Sequence, residues 1–128
     1  MKMNVLIDSH GWIEYFSDGP LAAKYAKYVE SANNTEYVTP SIILYEVYKK
    51  IKSTKGEIEA LKAVAHIVGN TTIIAIDKKT ALNAADISMR TKLAMADAII
   101  KAIADETNAR IITGDEHFKQ LEHVVFIE

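Results

Sequence analysis

The sequence predicts an α/β domain built around a central parallel sheet. Short apolar runs rich in β-branched residues alternate along the chain with longer segments of helical periodicity. The runs show little of the every-second-residue alternation that a strand with one solvated face requires, which indicates strands covered on both faces. A chain that alternates strands and helices in this way forms a parallel sheet flanked by helices.

Five strands and seven helical segments account for most of the chain. The strands are predicted over 4–7, 37–39, 72–76, 110–113 and 124–127. The helices are predicted over 9–16, 21–32, 41–52, 57–68, 78–90 and 95–107, with a last short turn over 117–121. Three helices carry a start signal, because Pro20 and Pro40 precede two of them and Asp77 is a typical N-cap of a third.

Length and composition indicate one globular domain over 1–128, since 49% of the residues are hydrophobic and 25% are charged. The chain has no cysteine, which excludes disulfides, zinc–thiolate sites and thiol nucleophiles. We expect a cytoplasmic protein, because the first residues lack the long apolar stretch of a signal peptide and no segment is apolar enough to cross a membrane. The formal net charge is −2, so the chain as a whole lacks the excess of positive charge that is typical of nucleic-acid-binding domains.

Two aspartates come directly after predicted strands. Asp8 ends the apolar run 5–7, and Asp115 follows the run 111–113 after a single glycine. In open parallel sheets, active sites form outside the carboxyl ends of the strands, so we expect Asp8 and Asp115 to meet there. Each aspartate has a simpler interpretation as well, because either is a good N-cap for the helical turn that follows it.

Two further carboxylates lie on apolar helix faces. Glu46 is three residues after Ile43 and four after Ile42, so it shares the buried stripe of its helix. Asp97 lies in the first turn of a helix whose neighbouring residues are nearly all apolar. The alternatives are a glutamate at the edge of the stripe and an aspartate stabilised by the helix macrodipole. Both positions are unusual for a carboxylate that has no partner.

A cluster of these four carboxylates predicts a metal centre. Carboxylates pressed together repel one another and take up protons unless a cation neutralises them. A site of hard oxygen ligands selects Mg²⁺ or Mn²⁺ over zinc. Such an ion acts on phosphates, which points to hydrolysis of phosphodiester bonds.

Basic residues near two of the acids are candidate phosphate contacts. Lys49, Lys50 and Lys52 follow Glu46 closely, and Arg90 precedes Asp97 by seven positions. Clusters of this kind either bind the nucleic-acid backbone or form solvated faces, and the sequence leaves both interpretations open.

Four short motifs together resemble the PIN domain family. Residues 5–9, Val-Leu-Ile-Asp-Ser, with 12–16, Trp-Ile-Glu-Tyr-Phe, resemble the opening of a PIN domain. Residues 40–47, 96–100 and 112–118 resemble its second, third and fourth motifs. The motifs fall in the family's order and cover essentially the whole chain, whose size is similar to that of VapC-type toxins.

The resemblance implies a three-layer α/β/α fold with a five-stranded parallel sheet and Mg²⁺- or Mn²⁺-dependent cleavage of RNA. The residues that match the family's acidic, metal-binding positions are Asp8, Glu46, Asp97 and Asp115. Ser9 and Thr113 match positions where a hydroxyl supports the site. The resemblance also implies a homodimer and, for a toxin, a small antitoxin as inhibitor. Gly11 departs from the pattern and is expected to loosen the first helix.

Other functions are compatible with an aspartate after the first strand. A haloacid-dehalogenase-like phosphatase needs a second aspartate two residues later, where this chain has His10. A receiver-like domain needs adjacent acids, and none flank the first strand. A non-catalytic PIN-like module that binds RNA or protein, and a PIN nuclease that processes RNA without an antitoxin, remain alternatives to a toxin.

Overall fold

The computed structural model describes residues 2–128, which form alternating strands and helices. The strands are β1 (Asn4–Ile7), β2 (Val38–Pro40), β3 (Thr72–Ile74), β4 (Ala109–Thr113) and β5 (Val124–Phe126). The helices are α1 (Ser9–Phe16), α2 (Ala22–Val29), α3 (Ser41–Lys55), α4 (Glu57–Asn70), α5 (Lys78–Thr91) and α6 (Met95–Glu106). A short 3-10 turn, Glu116–Phe118, lies between β4 and β5.

The strands form a parallel sheet, as predicted. β4 is the middle strand of a ladder with β1 and β5, and β2 pairs with β3 in a second ladder. A single parallel bridge between Val5 and Tyr37 joins the two ladders, supported by a 2.8 Å hydrogen bond from the Val5 amide to the Glu36 carbonyl. Strand β2 therefore lies beside β1, and the spatial order is β3-β2-β1-β4-β5.

The inner strands are buried, which confirms that helices cover the sheet on both faces. Leu6 and Ile7 of β1 and Ile111 and Ile112 of β4 are each at most 1% exposed. Helices α1 and α6 pack against β4, and α3 packs against β2. Complete burial of these side chains is the main stabilising contribution of the sheet, at roughly 1.5–3 kcal/mol each.

Helix α1 runs without interruption through Gly11, so the expectation that this glycine loosens the helix is wrong. A Cβ at position 11 would lie 2.7 Å from Ile7 Cγ2 and 2.7 Å from Tyr25 Cε1, which is too close for any side chain. Glycine is present because α1 approaches both β1 and α2 closely here. Trp12, beside it, is fully buried and packs in the core.

Most predicted boundaries agree with the structure to within three residues, and one difference has a clear local cause. Helix α2 ends at Val29, although helical periodicity was expected to continue to residue 32. The side-chain oxygen of Asn33 accepts hydrogen bonds from the backbone amides of Thr35 and Glu36, at 3.0 and 2.9 Å. This Asx turn redirects the chain toward β2.

Among the helices of the described residues, none combines the length and the apolar character needed to cross a bilayer.

Candidate metal centre

Asp8 lies at the carboxyl end of β1, and its side chain is held from two directions. The residue is 2% exposed. Its Oδ1 accepts a hydrogen bond from the Ser9 amide at 2.8 Å, and its Oδ2 accepts one from the Thr113 hydroxyl at 2.8 Å. Asp8 is therefore the N-cap of α1 and at the same time part of a contact with the neighbouring strand.

Thr113 connects Asp8 to the segment that carries Asp115. The buried Thr113 hydroxyl donates to Asp8 and accepts a hydrogen bond from the Asp115 amide at 3.0 Å. Asp115 caps the 3-10 turn, because its Oδ1 accepts a hydrogen bond from the His117 amide at 2.9 Å. The same Oδ1 lies 2.9 Å from the Nδ1 of His117. The capping alternatives for both aspartates are thus confirmed alongside their convergence.

Asp97 approaches Asp115 from helix α6. It lies in the first turn of α6, which packs against that strand. Ligand atoms of Asp97, Asp115 and His117 all lie within 4.8 Å of one another, and so do those of Asp8, His10 and Asp115. Asp115 belongs to both groups, so the structure brings Asp8 and Asp97 each to Asp115, and we refer to the two overlapping groups as the acidic cluster.

Glu46 approaches this cluster from α3 without belonging to either group. Ile43, Val47 and Ile51 of the same helix are buried, which confirms the predicted apolar stripe. The Glu46 side chain is half-buried, and its Oε1 is fully buried without a hydrogen-bond partner among the described residues. A buried carboxylate oxygen without a donor costs roughly 1–3 kcal/mol or more. A cation beside it would remove that cost.

Burial and mutual repulsion raise the pKa values of three carboxylates. Burial raises the pKa of Asp8, although the Coulombic effect of His10 and the Thr113 hydrogen bond oppose the rise. Burial is the largest cause that raises the pKa of Glu46; the Ser9 side chain opposes the rise, and the charges of Asp8 and Asp97 add to it by smaller amounts. Burial, followed by the charges of Asp115 and Asp8, raises the pKa of Asp97 to about 6.

The donor set fits a divalent cation with a preference for oxygen. Asp8, Asp97 and Asp115 supply carboxylate oxygens, and the partnerless Glu46 Oε1 is a fourth oxygen within reach of their charge. Burial, which is the largest cause, and neighbouring carboxylates raise the pKa values of Asp8, Glu46 and Asp97, and a divalent ion would favour their charged forms. Mg²⁺ and Mn²⁺ are the ions that such ligands favour.

Sequence reasoning did not assign His10 or His117 to the cluster. Each stands two residues after an aspartate, in the first turn of the segment that the aspartate caps. That spacing is the signal that could have identified them. Both side chains are exposed.

The basic residues are distributed unequally around the site. Lys50 lines a cavity of about 520 Å³ next to the acids, together with Ser9, His10 and Glu46. Lys49 and Lys52 lie on the exposed side of α3, where their amines hydrogen-bond tyrosine hydroxyls one turn earlier at 3.3 and 3.2 Å.

Arg90 lies elsewhere. It lines a separate cavity of about 530 Å³, with Met3 and Asn108 at the amino-terminal ends of β1 and β4. The chain reverses at Lys92, whose φ is 66°, before α6 brings Asp97 to the cluster. Proximity to Asp97 in sequence therefore does not place Arg90 at the site.

Three solved structures share this fold over nearly the whole chain. A chain of a toxin–antitoxin complex from Klebsiella pneumoniae is 24% identical with a TM-score of 0.77, and the match covers 95% of this chain and 96% of that chain. For VapBC2 from Rickettsia felis, bound to a DNA fragment from its promoter, the identity is 14%, the TM-score 0.72 and the coverage 97% of both chains. VapC20 from Mycobacterium tuberculosis, a toxin that cleaves the sarcin–ricin loop, is 16% identical with a TM-score of 0.72. The match covers 88% of this chain and 92% of that chain.

The sequence itself matches the family model of the PIN domain over residues 5–124. That span contains the four acids described above, Asp8, Glu46, Asp97 and Asp115. Comparison with curated protein sequences gives no match.

Proposed function

This chain belongs to the PIN domain family, and from that premise we propose that it is a Mg²⁺- or Mn²⁺-dependent endoribonuclease. The observation that carries the proposal is the convergence of Asp8, Asp97 and Asp115 at the carboxyl edge of the sheet. Glu46 lies near enough to feel the charges of Asp8 and Asp97, and one of its oxygens is buried without a hydrogen-bond partner in residues 2–128. A protein that only bound RNA or another protein would gain nothing from keeping these acids together at raised pKa values.

Asp8, Asp97 and Asp115 hold the cation in this proposal, and Glu46 completes the acidic site. When bound, a divalent cation neutralises the carboxylates, polarises the phosphoryl group and lowers the pKa of a water molecule. The Ser9 amide and the Thr113 hydroxyl fix both oxygens of Asp8 and so set its orientation. Lys50, on the wall of the adjoining cavity, contacts the RNA backbone without reading its sequence.

The reaction is a hydrolysis without a covalent enzyme intermediate. Water attacks phosphorus, the bond between phosphorus and the 3′ oxygen breaks, and the leaving oxygen takes up a proton. The products therefore carry a 5′-phosphate and a 3′-hydroxyl. The proposal includes no thiol nucleophile, because the chain lacks cysteine.

A toxin of a toxin–antitoxin pair is the biological role that we propose. Support comes from the length and fold that this chain shares with chains of toxin–antitoxin complexes, matched over 95% or more of each chain in two cases. The proposal includes a small antitoxin as inhibitor, a homodimeric state and a cytoplasmic location, where the RNA substrate is found. A short neighbouring reading frame that encodes a DNA-binding protein would support it.

The test is cleavage of an end-labelled structured RNA by the purified protein with Mg²⁺ or Mn²⁺ and with EDTA. We expect internal cuts that require the metal, 5′-phosphate ends, and no activity from Asp8→Asn. A 2′,3′-cyclic phosphate, or cleavage that survives EDTA, would refute the metal mechanism. RNA binding with no cleavage would favour the alternative of a non-catalytic PIN-like module. Cleavage with no antitoxin gene nearby would favour a role in RNA processing.

A further inference from the structure

His10 lies beside the acidic cluster, and its imidazole forms no hydrogen bond within residues 2–128. It lies in the first turn of α1, two residues after Asp8, and its side chain is exposed. One of its ring nitrogens and one oxygen each from Asp8 and Asp115 lie within 4.8 Å of one another. Within residues 2–128, the His10 imidazole makes no hydrogen bond to another residue, so a ring nitrogen is available as a ligand.

His117, the other histidine at the cluster, is engaged differently. Its Nδ1 lies 2.9 Å from Asp115 Oδ1, and its backbone amide donates to the same oxygen. Two contacts to one oxygen make His117 a positioning residue for Asp115. The two histidines therefore provide a natural comparison within the same site.

The spacing around His10 suits a shared ion. Ligands bind hard divalent ions at about 2.1 Å, so two ligands on opposite sides of one ion are about 4.2 Å apart. That separation is the upper limit for any two ligands of one ion, and three atoms within 4.8 Å of one another are close to it; rotation of the exposed His10 side chain would bring its nitrogen nearer. The carboxylates of Asp8 and Asp115 are already fixed by the hydrogen bonds of Thr113 and His117.

We propose that His10 is a ligand of the cation held by Asp8 and Asp115, and that its nitrogen makes this centre select Mn²⁺ over Mg²⁺. The inference rests on the proposed function, because it assumes that the acids hold a divalent ion. Mg²⁺ binds oxygen ligands and gives up its waters reluctantly, whereas transition-metal ions accept imidazole readily. A nitrogen ligand among carboxylates therefore favours the transition-metal ion.

The test is pulsed electron paramagnetic resonance on the full-length protein loaded with Mn²⁺, where a coordinated imidazole gives a coupling to ¹⁴N. We expect this coupling in the wild type and in His117→Asn, and its loss in His10→Asn. His123→Asn is the matched control, since His123 is exposed on another surface and its φ of 60° suits asparagine. Thermal unfolding of each variant checks that the fold is intact.

A second measurement reports selectivity. Calorimetric titrations with Mn²⁺ and with Mg²⁺ give the ratio of the two affinities. We expect His10→Asn to weaken Mn²⁺ binding by about tenfold, a loss that even an outer partner of a metal ligand commonly causes. Because Mg²⁺ has less need of the imidazole, the ratio should fall. His123→Asn is expected to leave the ratio unchanged.

The outcomes separate this inference from the proposed function. Mn²⁺ that binds the wild type without a ¹⁴N coupling, or a coupling that persists in His10→Asn, would overturn the role of His10 and leave the acidic centre in place. If Mn²⁺ binds the wild type and Asp8→Asn equally, or binds neither, the acidic centre itself is refuted, and the role of His10 with it.

Discussion

Replacing Asp97 with asparagine should abolish RNA cleavage and stabilise the metal-free protein. Asp97→Asn keeps the shape of the side chain and removes a negative charge from the first turn of α6. That charge stands beside Asp115 and Asp8, and with burial it raises the pKa of Asp97 from 3.8 to about 6. The variant therefore removes both a proposed metal ligand and a source of repulsion.

The size of the effect follows from the pKa. A rise of about two pKa units corresponds to about 3 kcal/mol between the two protonation states. Asp97 is only half-buried, and solvent screening reduces this value, so we expect a gain of about 1–2 kcal/mol in the free energy of unfolding at neutral pH. For a domain of this length, that gain raises the melting temperature by roughly 3–12 °C.

The pH dependence gives the sign. Because the pKa of Asp97 is higher in the folded state, the folded protein binds a proton more tightly than the unfolded chain does. The wild type therefore loses stability as the pH rises from 3.8 to about 6, and Asp97→Asn does not share this loss. The two proteins should differ at pH 7.5 and converge below pH 4.

Thermal unfolding in EDTA and with saturating Mn²⁺ measures the prediction. In EDTA the variant should melt at the higher temperature. With Mn²⁺ at about one hundred times its Kd, the wild type should gain about 2.7 kcal/mol and the variant much less. Asp86→Asn is the matched control, since Asp86 is exposed on α5, and it should change neither stability nor cleavage. A large drop in the melting temperature of Asp97→Asn in EDTA would show that Asp97 is structural and refute the reasoning.

Two further substitutions test the RNA path and the packing of α1. Lys50→Ala should raise the KM for RNA and reduce the salt dependence of RNA binding by about one ion. Arg90→Ala, which changes a residue of the other cavity, should alter neither quantity. Equal effects of the two substitutions would exclude Lys50 as a specific contact. Gly11→Ala should destabilise the fold by about 1–3 kcal/mol, because its Cβ would lie 2.7 Å from Ile7 Cγ2. Gly69→Ala, which meets nothing within 4 Å, should be neutral or stabilising in the same denaturation assay.

The meeting of Asp8 with the Asp115 segment could be predicted because sheet geometry determines it. Parallel strands end at one edge, and the register that pairs Ile7 with Ile112 places the next residues, Asp8 and Thr113, side by side. Apolar runs and strand ends can be recognised in the sequence, so the sheet, the order of the helices and the carboxyl edge of the sheet could be predicted from it. The need for Gly11 did not, because it depends on how closely α1 approaches Tyr25.

Contributions that depend on helix orientation were harder to predict. Periodicity placed Glu46 on the buried face of α3, but only the packing of that helix shows that one of its oxygens is buried without a hydrogen-bond partner in the described part of the chain. Arg90 was associated with Asp97 because few residues separate them, and the reversal at Lys92 breaks that association. Distance along the chain is a poor guide across a turn.

Capping and metal binding are alternative interpretations of the two aspartates in the sequence, and in the structure the capping role is compatible with the proposed metal-binding role. Asp8 accepts a hydrogen bond from the first amide of α1, and Asp115 accepts one from an amide of the 3-10 turn. Each cap uses one oxygen and fixes the carboxylate against rotation, so the cluster is oriented before any cation arrives. A preorganised site loses less side-chain entropy on binding than one whose ligands must first be ordered. The same caps begin the turns that carry His10 and His117, which is why histidines two residues after the aspartates lie near these acids.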